Sequence, residues 1–167
     1  MNVQATPMSR KDIRGLALEL RKMCGAQDIL YFPIVHFIEY ILSELDGFSY
    51  LIVPVEEMTT TYGTTNTEKN VMKIREDVYE GAVKGNPRDR FTLCHELGHY
   101  LLHQPQQISF ARGAVPKYCD PEWQANTFAG ELMAPSNLIQ NMTVDEIAEQ
   151  CGISKTAASI QLKMCHN

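Results

Sequence analysis

The sequence predicts an α+β domain that is mainly helical, with a small β-sheet and a C-terminal pair of helices. Apolar residues recur at helical spacing in residues 9–47 and 88–103, and a β-branched stretch occupies residues 49–55. Helix-capping residues recur after position 142. A chain of 167 residues fits one core and is too short for two full-sized domains, so we expect one functional site.

Two amphipathic helices are predicted before the first strand. The first covers residues 9–24, with Ser9 as its N-cap and Gly25 just past its end. The second begins near Pro33 and stops at Gly47. Its apolar side consists of Ile34, Phe37, Ile38, Ile41, Leu42 and Leu45. Both helices are expected to pack into the core.

The middle of the chain changes between strand, loop and helix composition. Residues 49–55 and 71–75 are strand candidates, because they are rich in β-branched and apolar residues. The threonine-rich residues 59–67 between them are predicted to form a polar loop. Helical spacing returns at residues 88–103, and residues 104–121 are predicted to be irregular.

The C-terminal residues 143–167 are predicted to form two short helices. Thr143 and Glu146 have the spacing of a capping box, Gly152 interrupts the helix, and Ser154 restarts it. The outline is similar to a helix-turn-helix, but the second helix carries only two lysines. We therefore favour a helical hairpin packed on the rest of the chain over a DNA-binding module.

The composition excludes several functional classes. The formal net charge of −5 is modest and spread along the chain, so direct nucleic-acid binding is not expected. No apolar stretch approaches the roughly 18 residues of a membrane span, and the N-terminal residues lack the apolar core of a signal peptide. We therefore expect a cytoplasmic protein without a membrane partner.

The cysteines predict neither a disulfide framework nor a zinc knuckle. Their number is odd and no C-x-x-C pair occurs. The five are Cys24, Cys94, Cys119, Cys151 and Cys165. Reduced and mostly buried thiols are the expectation.

The run His-Glu-Leu-Gly-His at residues 95–99 predicts a metal site. His95 and His99 are four residues apart, so on a helix they lie about 40° apart around the axis and one turn apart along it. Both imidazoles can therefore reach one ion. Glu96 is rotated by about 100° from His95, which makes it a poor ligand but a suitable general base toward a water on the metal.

The opposite face of the same helix is apolar, which supports this interpretation. Cys94, Leu97, Gly98 and Leu101 project away from the histidines and are expected to pack against the core. A glycine inside a helix costs about 1 kcal/mol relative to alanine. Gly98 therefore predicts a close approach by a neighbouring backbone, with a tolerated surface glycine as the alternative.

A catalytic zinc site needs a third protein ligand. His103 continues the spacing, but its rotation and rise carry it away from an ion shared by the first two histidines, so we assign it a supporting or core position. The motif with a third histidine would need glycine at position 102 and histidine at 105. The chain has Leu102 and Pro105 there, which excludes that subclass.

A glutamate from a later helix is the remaining possibility, and Glu122 is the predicted third ligand. It opens a further helix directly after Pro121, and carboxylate oxygen is a suitable zinc donor. An acidic residue in a first helical turn is also favoured by the helix dipole alone. Glu131 and Asp120 are the competing carboxylates.

Two blocks of the sequence resemble the ImmA/IrrE family of zinc metallopeptidases: RFTLCHELGHYLLH at 90–103 and DPEWQANTFAGELMAP at 120–135. The resemblance implies a zincin-like metallopeptidase domain over residues 1–142, with the hairpin of residues 143–167 packed on it. It also implies one Zn²⁺ per chain. The methionine near the end of the second block is shifted by one place from the family's usual pattern.

The motif residues carry over from the family one by one. The resemblance implies that His95, His99 and Glu122 bind the metal and that Glu96 is catalytic. It further implies site-specific cleavage of a helix-turn-helix repressor encoded nearby, as an anti-repressor. A metal-binding regulatory protein that binds a transcription factor without cutting it is the alternative.

The donor for the oxyanion of the tetrahedral intermediate is less defined by the sequence. Tyr118, Arg112 and His103 are the polar residues near the motif that we consider for this role or for supporting the ligands. Tyr118 ranks first. A structural part is the alternative for each, with a turn at Arg112–Gly113 and partial burial of Tyr118.

Overall fold

The computed structural model describes residues 1–166 and contains eight helices and five strands in that part of the chain. The helices are α1 (Arg10–Met23), α2 (Ile34–Tyr40), α3 (Glu76–Val83), α4 (Pro87–Leu102), α5 (Pro121–Met133), α6 (Ser136–Ile139), α7 (Val144–Cys151) and α8 (Lys155–Met164). The strands are β1 (Asn2–Ala5), β2 (Ser49–Val53), β3 (Gly63–Asn66), β4 (Val71–Arg75) and β5 (Ile108–Ala111). The predicted α+β class, mainly helical with little sheet, is confirmed.

Three strands form a mixed sheet in the order β2–β4–β3, with β2 parallel and β3 antiparallel to β4. Both strand candidates are confirmed as β2 and β4. The polar loop predicted for residues 59–67 is wrong at β3, which pairs with β4 although its side chains are polar. Exposure alternates along β3, so that Gly63 and Thr65 face inward while Thr64 and Asn66 face solvent.

The second sheet is the antiparallel pair of β1 and β5, which joins the N-terminus to the segment after α4. The prediction that residues 104–121 are irregular is therefore wrong at β5. Ala5 pairs with Ile108. Because the partners are so distant in sequence, no local pattern reports their pairing.

The helix caps occur where the sequence predicts them. Ser9 Oγ accepts a hydrogen bond from the Asp12 N–H at 3.1 Å. Thr143 Oγ1 accepts from the Glu146 N–H at 3.2 Å, and the Glu146 carboxylate accepts from the Thr143 N–H at 2.8 Å. Gly152 ends α7 with a φ of 66°, a conformation that glycine adopts without strain.

The second predicted helix is shorter than its apolar pattern suggests. α2 ends at Tyr40, and a 3₁₀ turn at Leu42–Glu44 follows. The turn changes the direction of the side chains, because a 3₁₀ helix has three residues per turn. Ile41 and Leu45 are therefore 42% and 48% exposed, and their predicted core positions are wrong. α3 and α6 were not predicted.

The centre of the core is α4, which packs most extensively against α5. Cys94, Leu97 and Gly98 are buried on the face that the sequence assigns to the core. A Cβ atom added at Gly98 would lie 3.2 Å from both the Cα and the carbonyl oxygen of Ala125. The predicted close approach is confirmed, and the approaching backbone belongs to α5.

The C-terminal helices pack on the rest of the chain through α8. Gln161 of α8 is buried, and its amide nitrogen donates to the Glu131 carboxylate at 2.8 Å and to the Ala134 carbonyl at 3.1 Å. These contacts join α8 to α5. The boundary between residues 142 and 143 stays a prediction.

The cysteines form no disulfide among residues 1–166. All five cysteines are free, and Cys94, Cys119 and Cys151 are buried. No helix within residues 1–166 has both the length and the apolarity that crossing a bilayer requires.

Candidate metal centre

Three predicted ligands meet where α4 crosses the first turn of α5. His95 and His99 lie on one edge of α4, and Glu122 opens α5 after its N-cap Asp120. One donor atom from each lies within 4.8 Å of the other two. The two helices are held in this register by the contact of Gly98 with α5.

The donor atoms form a small triangle that fits a zinc ion. The two histidine Nε2 atoms are 3.0 Å apart, and the Glu122 oxygens lie 3.2 Å from His95 Nε2 and 3.0 Å from His99 Nε2. A tetrahedral ion with bonds of about 2.0–2.1 Å places neighbouring ligands about 3.3 Å apart. Two imidazoles and one carboxylate are also a donor set that zinc favours.

His95 is oriented by Asn126, which lies one helical turn after Glu122 on α5. The His95 Nδ1 is 2.8 Å from Asn126 Oδ1, which can only accept a hydrogen bond. The proton of the neutral ring therefore lies on Nδ1. This leaves the lone pair on Nε2, the atom that faces the other ligands.

A chain of hydrogen bonds from Gln124 through His103 orients His99. Which atom donates in each bond follows from the contacts of Gln124. The Gln124 amide nitrogen donates to the carbonyls of Thr6 and Tyr118, both at 2.8 Å. Its oxygen therefore faces His103 Nε2, at 3.0 Å, and that nitrogen must carry a proton. His103 Nδ1 is then an acceptor, so His99 Nδ1 donates to it at 2.9 Å.

The consequence is that His99 also presents a bare Nε2 to the metal position. Burial, together with His95 and His103, lowers the pKa of His99 to about 3. Burial also lowers the pKa of His103, although its bond to Gln124 opposes this. Both rings are therefore neutral near pH 7, so the close approach of His99 to Glu122 is not an ion pair.

Glu96 lies beside this triangle under strand β3. Thr65 Oγ1 donates to Glu96 Oε2 at 2.6 Å, and a Cβ at Gly63 would lie 3.0 Å from Glu96 Cγ, so β3 is in contact with this side chain. Burial raises the pKa of Glu96, and Glu122 also contributes, while the Thr65 bond and His95 lower it. A carboxylate with a raised pKa is suited to proton transfer near neutral pH.

The competing carboxylates have other partners. Asp120 caps α5 by accepting from the Glu122 N–H at 3.0 Å. Glu131 is buried, with its Oε1 2.6 Å from Arg14 Nε and with Ser136 and Gln161 as further donors. Glu122 is the carboxylate that lies with the two histidines.

The ligands and Glu96 line a cavity of about 520 Å³. Residues 60–65 form the wall opposite α4. Tyr62 belongs to this wall, and its hydroxyl accepts a hydrogen bond from Arg88 Nη2 at 3.1 Å. Of the residues considered for the oxyanion, Tyr118 is 53% exposed and Arg112 is exposed, and neither is among the residues that line this cavity. His103 is buried, with both ring nitrogens bonded as described above.

Sequence reasoning missed three side chains of this site: Thr65, Gln124 and Asn126. Asn126 could have been found, because it is four residues after Glu122 and so lies on the same face of its helix. Gln124 and Thr65 have no such signal. The role of Gln124 depends on the carbonyl of Thr6, which is distant in sequence, and on that of Tyr118. The role of Thr65 depends on a strand whose polar composition is typical of a loop.

The comparisons with known proteins agree with this geometry. The model of the Peptidase M78 family, described as an IrrE N-terminal-like domain, matches residues 49–163, which is more than half of the chain. A search of curated proteins finds no match. The matched region includes β2 to β4, both helices of the site and most of the C-terminal pair. The chain therefore belongs to the ImmA/IrrE family, with a metallopeptidase-like domain of the Peptidase M78 type.

Proposed function

We propose that the protein is a zinc-dependent endopeptidase that cuts a transcriptional repressor. The observation that carries the proposal is the convergence of His95, His99 and Glu122 beside a buried carboxylate in an open cavity. Three protein ligands leave one coordination position for water or substrate, as in catalytic zinc sites. The hydrogen bonds at both Nδ1 atoms support the ligand role, because they fix the tautomer that binding through Nε2 requires.

Glu96 is the general base of the proposed reaction. When bound, zinc supplies Lewis acidity, which polarises a peptide carbonyl and makes water acidic enough to lose a proton near neutral pH. The Glu96 carboxylate, held on one oxygen by Thr65, accepts that proton with the other oxygen. It then returns the proton to the amine of the departing fragment.

Strand β3 provides a place for an extended peptide. It is an outer strand of its sheet, and among residues 1–166 only β4 pairs with it. Gly63, Thr64 and Thr65 line the cavity, so the free backbone groups of β3 are near the metal position. A peptide that adds to this edge forms main-chain hydrogen bonds without requiring a chain end, which supports internal cleavage.

The proposed substrate is a helix-turn-helix repressor encoded by a neighbouring gene, and the reaction is placed in the cytoplasm. The substrate follows from the resemblance of the two motif helices to anti-repressor peptidases. The cytoplasmic location follows from the hydropathy of the sequence, which has no apolar stretch long enough to span a membrane. The chain binds no nucleic acid in this proposal, since its net charge of −5 weakens attraction to phosphates.

The test uses purified protein and the purified repressor from the adjacent gene. We expect close to one zinc per chain and discrete repressor fragments that disappear with a chelator. Glu96→Gln should retain zinc and cut about 100- to 10,000-fold more slowly, while His99→Ala should lose both zinc and cleavage. Glu149→Gln, an exposed glutamate on α7, is the matched control and should behave as wild type.

Two outcomes contradict the proposal. Full cleavage by Glu96→Gln would remove the general base from the mechanism. Stable binding of the repressor without fragments, by zinc-loaded wild type, would favour the non-cleaving regulatory protein.

A further inference from the structure

A second groove, of about 360 Å³, lies beside the metal centre between α5 and α8. Phe91 of α4 lines both cavities, and Asn126, which holds His95, lies at the border. The groove is therefore adjacent to the proposed active site. Its other wall comes from α8, the second helix of the C-terminal pair.

The groove combines apolar walls with positive charge. Trp123 and Ile160 line it, and Ile160 is 49% exposed although it is apolar. Lys117 lies over the Trp123 ring, 5.6 Å from its centroid, and no carboxylate of residues 1–166 forms an ion pair with it. In a chain of net charge −5, this combination favours a ligand that is apolar and acidic.

Arg10 is the second cation in the groove, and its charge is not fully neutralised. Its Nη1 is 3.2 Å from Gln161 Oε1 and 3.9 Å from the Glu131 carboxylate. Glu131 is already bound by Arg14 at 2.6 Å. The carboxylate 3.9 Å from Arg10 therefore has a closer partner, and Arg10 adds positive charge to this end of the groove.

Thr127 provides an independent sign that a ligand belongs here. It lines the groove and is 3% exposed, and its Oγ1 has no hydrogen-bond partner within residues 1–166. A buried hydroxyl without a partner costs free energy. A carbonyl or carboxylate oxygen of a ligand would provide the missing bond.

We infer that this groove binds a segment of the protein substrate that carries an acidic side chain next to an apolar one. Thr127 follows Glu122 by five residues, so it lies about 7.5 Å further along the axis of α5. An extended peptide advances about 3.3 Å per residue. The acidic residue should therefore be two to four residues from the cleaved bond. The inference rests on the proposed endopeptidase function.

The test is a cleavage profile on a proteome-derived peptide library, with new chain ends identified by mass spectrometry. With zinc-loaded wild type we expect Asp and Glu to be enriched about 3- to 10-fold at one such position, the size expected for exposed charge pairs. Lys117→Glu should lose this enrichment. Lys163→Glu makes the same change of charge at an exposed position outside the groove, and should retain it.

The outcomes separate this inference from the proposed function. Cleavage without an acidic preference, or with the same preference in Lys117→Glu, would contradict the inferred role of the groove in substrate binding. The proposed endopeptidase function would be unaffected. If no peptide is cut, Trp123, the one tryptophan of the chain, reports occupancy by fluorescence. A change with acetyl-Leu-Glu-Leu-amide that is absent with acetyl-Leu-Lys-Leu-amide and in Lys117→Glu supports the groove. No change with either peptide overturns it.

Discussion

Two buried carboxylates lie on the paired helices α4 and α5, and their surroundings differ. Glu131 is 1% exposed and is bound by Arg14, Ser136 and Gln161. Glu96 is 6% exposed, and within residues 1–166 its hydrogen-bond donor is the hydroxyl of Thr65, with no lysine or arginine in an ion pair. Similar burial therefore gives one carboxylate a cationic partner and two neutral donors, and leaves the other with one neutral donor and a raised pKa.

The difference suggests how the chain separates stability from chemistry. The Glu131 cluster joins α1, α5 and α8 through charged hydrogen bonds. The Glu96 environment has one neutral donor and a raised pKa, which is unfavourable for a structural acid but suitable for a base. Three substitutions test this division, beginning with the largest effect.

Glu131→Gln should destabilise the fold by about 3 kcal/mol. The substitution keeps the shape of the side chain but leaves Arg14 without its counter-charge in a largely buried position, where its side chain is 17% exposed. Urea unfolding measures the loss, and zinc content per folded molecule should remain near one. An unchanged midpoint would show that the cluster is not a stabilising element.

Gln124→Leu should weaken zinc binding by about 10- to 100-fold. The reason is that His103 loses its hydrogen-bond acceptor, which keeps the His103 proton on Nε2 and so makes His103 Nδ1 an acceptor for His99. Competition with a fluorescent chelator measures the affinity.

Gln140→Leu makes the same change at an exposed position outside the site and is the control for this prediction. Its zinc affinity should equal that of wild type. An unchanged affinity in Gln124→Leu would assign Gln124 a packing role only.

Thr65→Val should have the smallest effect, less than about tenfold on kcat/KM at neutral pH. The Thr65 hydrogen bond lowers the pKa of Glu96, so its removal raises that pKa further. A base must be unprotonated to act, and the acidic limb of the pH–rate profile should therefore move to higher pH. Thr59→Val makes the same change at an exposed position outside the cavity lining, and should leave the limb in place.

Local patterns predicted much of the fold and the ligand triangle. Ser9, Thr143 and Gly152 mark helix ends by side-chain or backbone preferences that act within one turn, and they do so in the structure. His95 and His99 come together for the same reason, because a helix alone determines their spacing.

What the sequence did not reveal depends on distant partners. Thr65 reaches Glu96 because β3 pairs with β4 and lies against α4, a contact that no threonine-rich pattern reports. The exposure of Ile41 follows from a 3₁₀ turn that interrupts a continuous apolar repeat. In each case tertiary contacts determine the result, and periodicity describes only what a helix or strand would do alone.

The pairing of β1 with β5 brings the Thr6 carbonyl to the amide of Gln124, 118 positions away. The first six residues are therefore part of the scaffold that orients His99, a proposed metal ligand, although they lie far from the motif. Trimming the N-terminus, or fusing a bulky tag directly to it, would disturb zinc loading before it disturbs the fold.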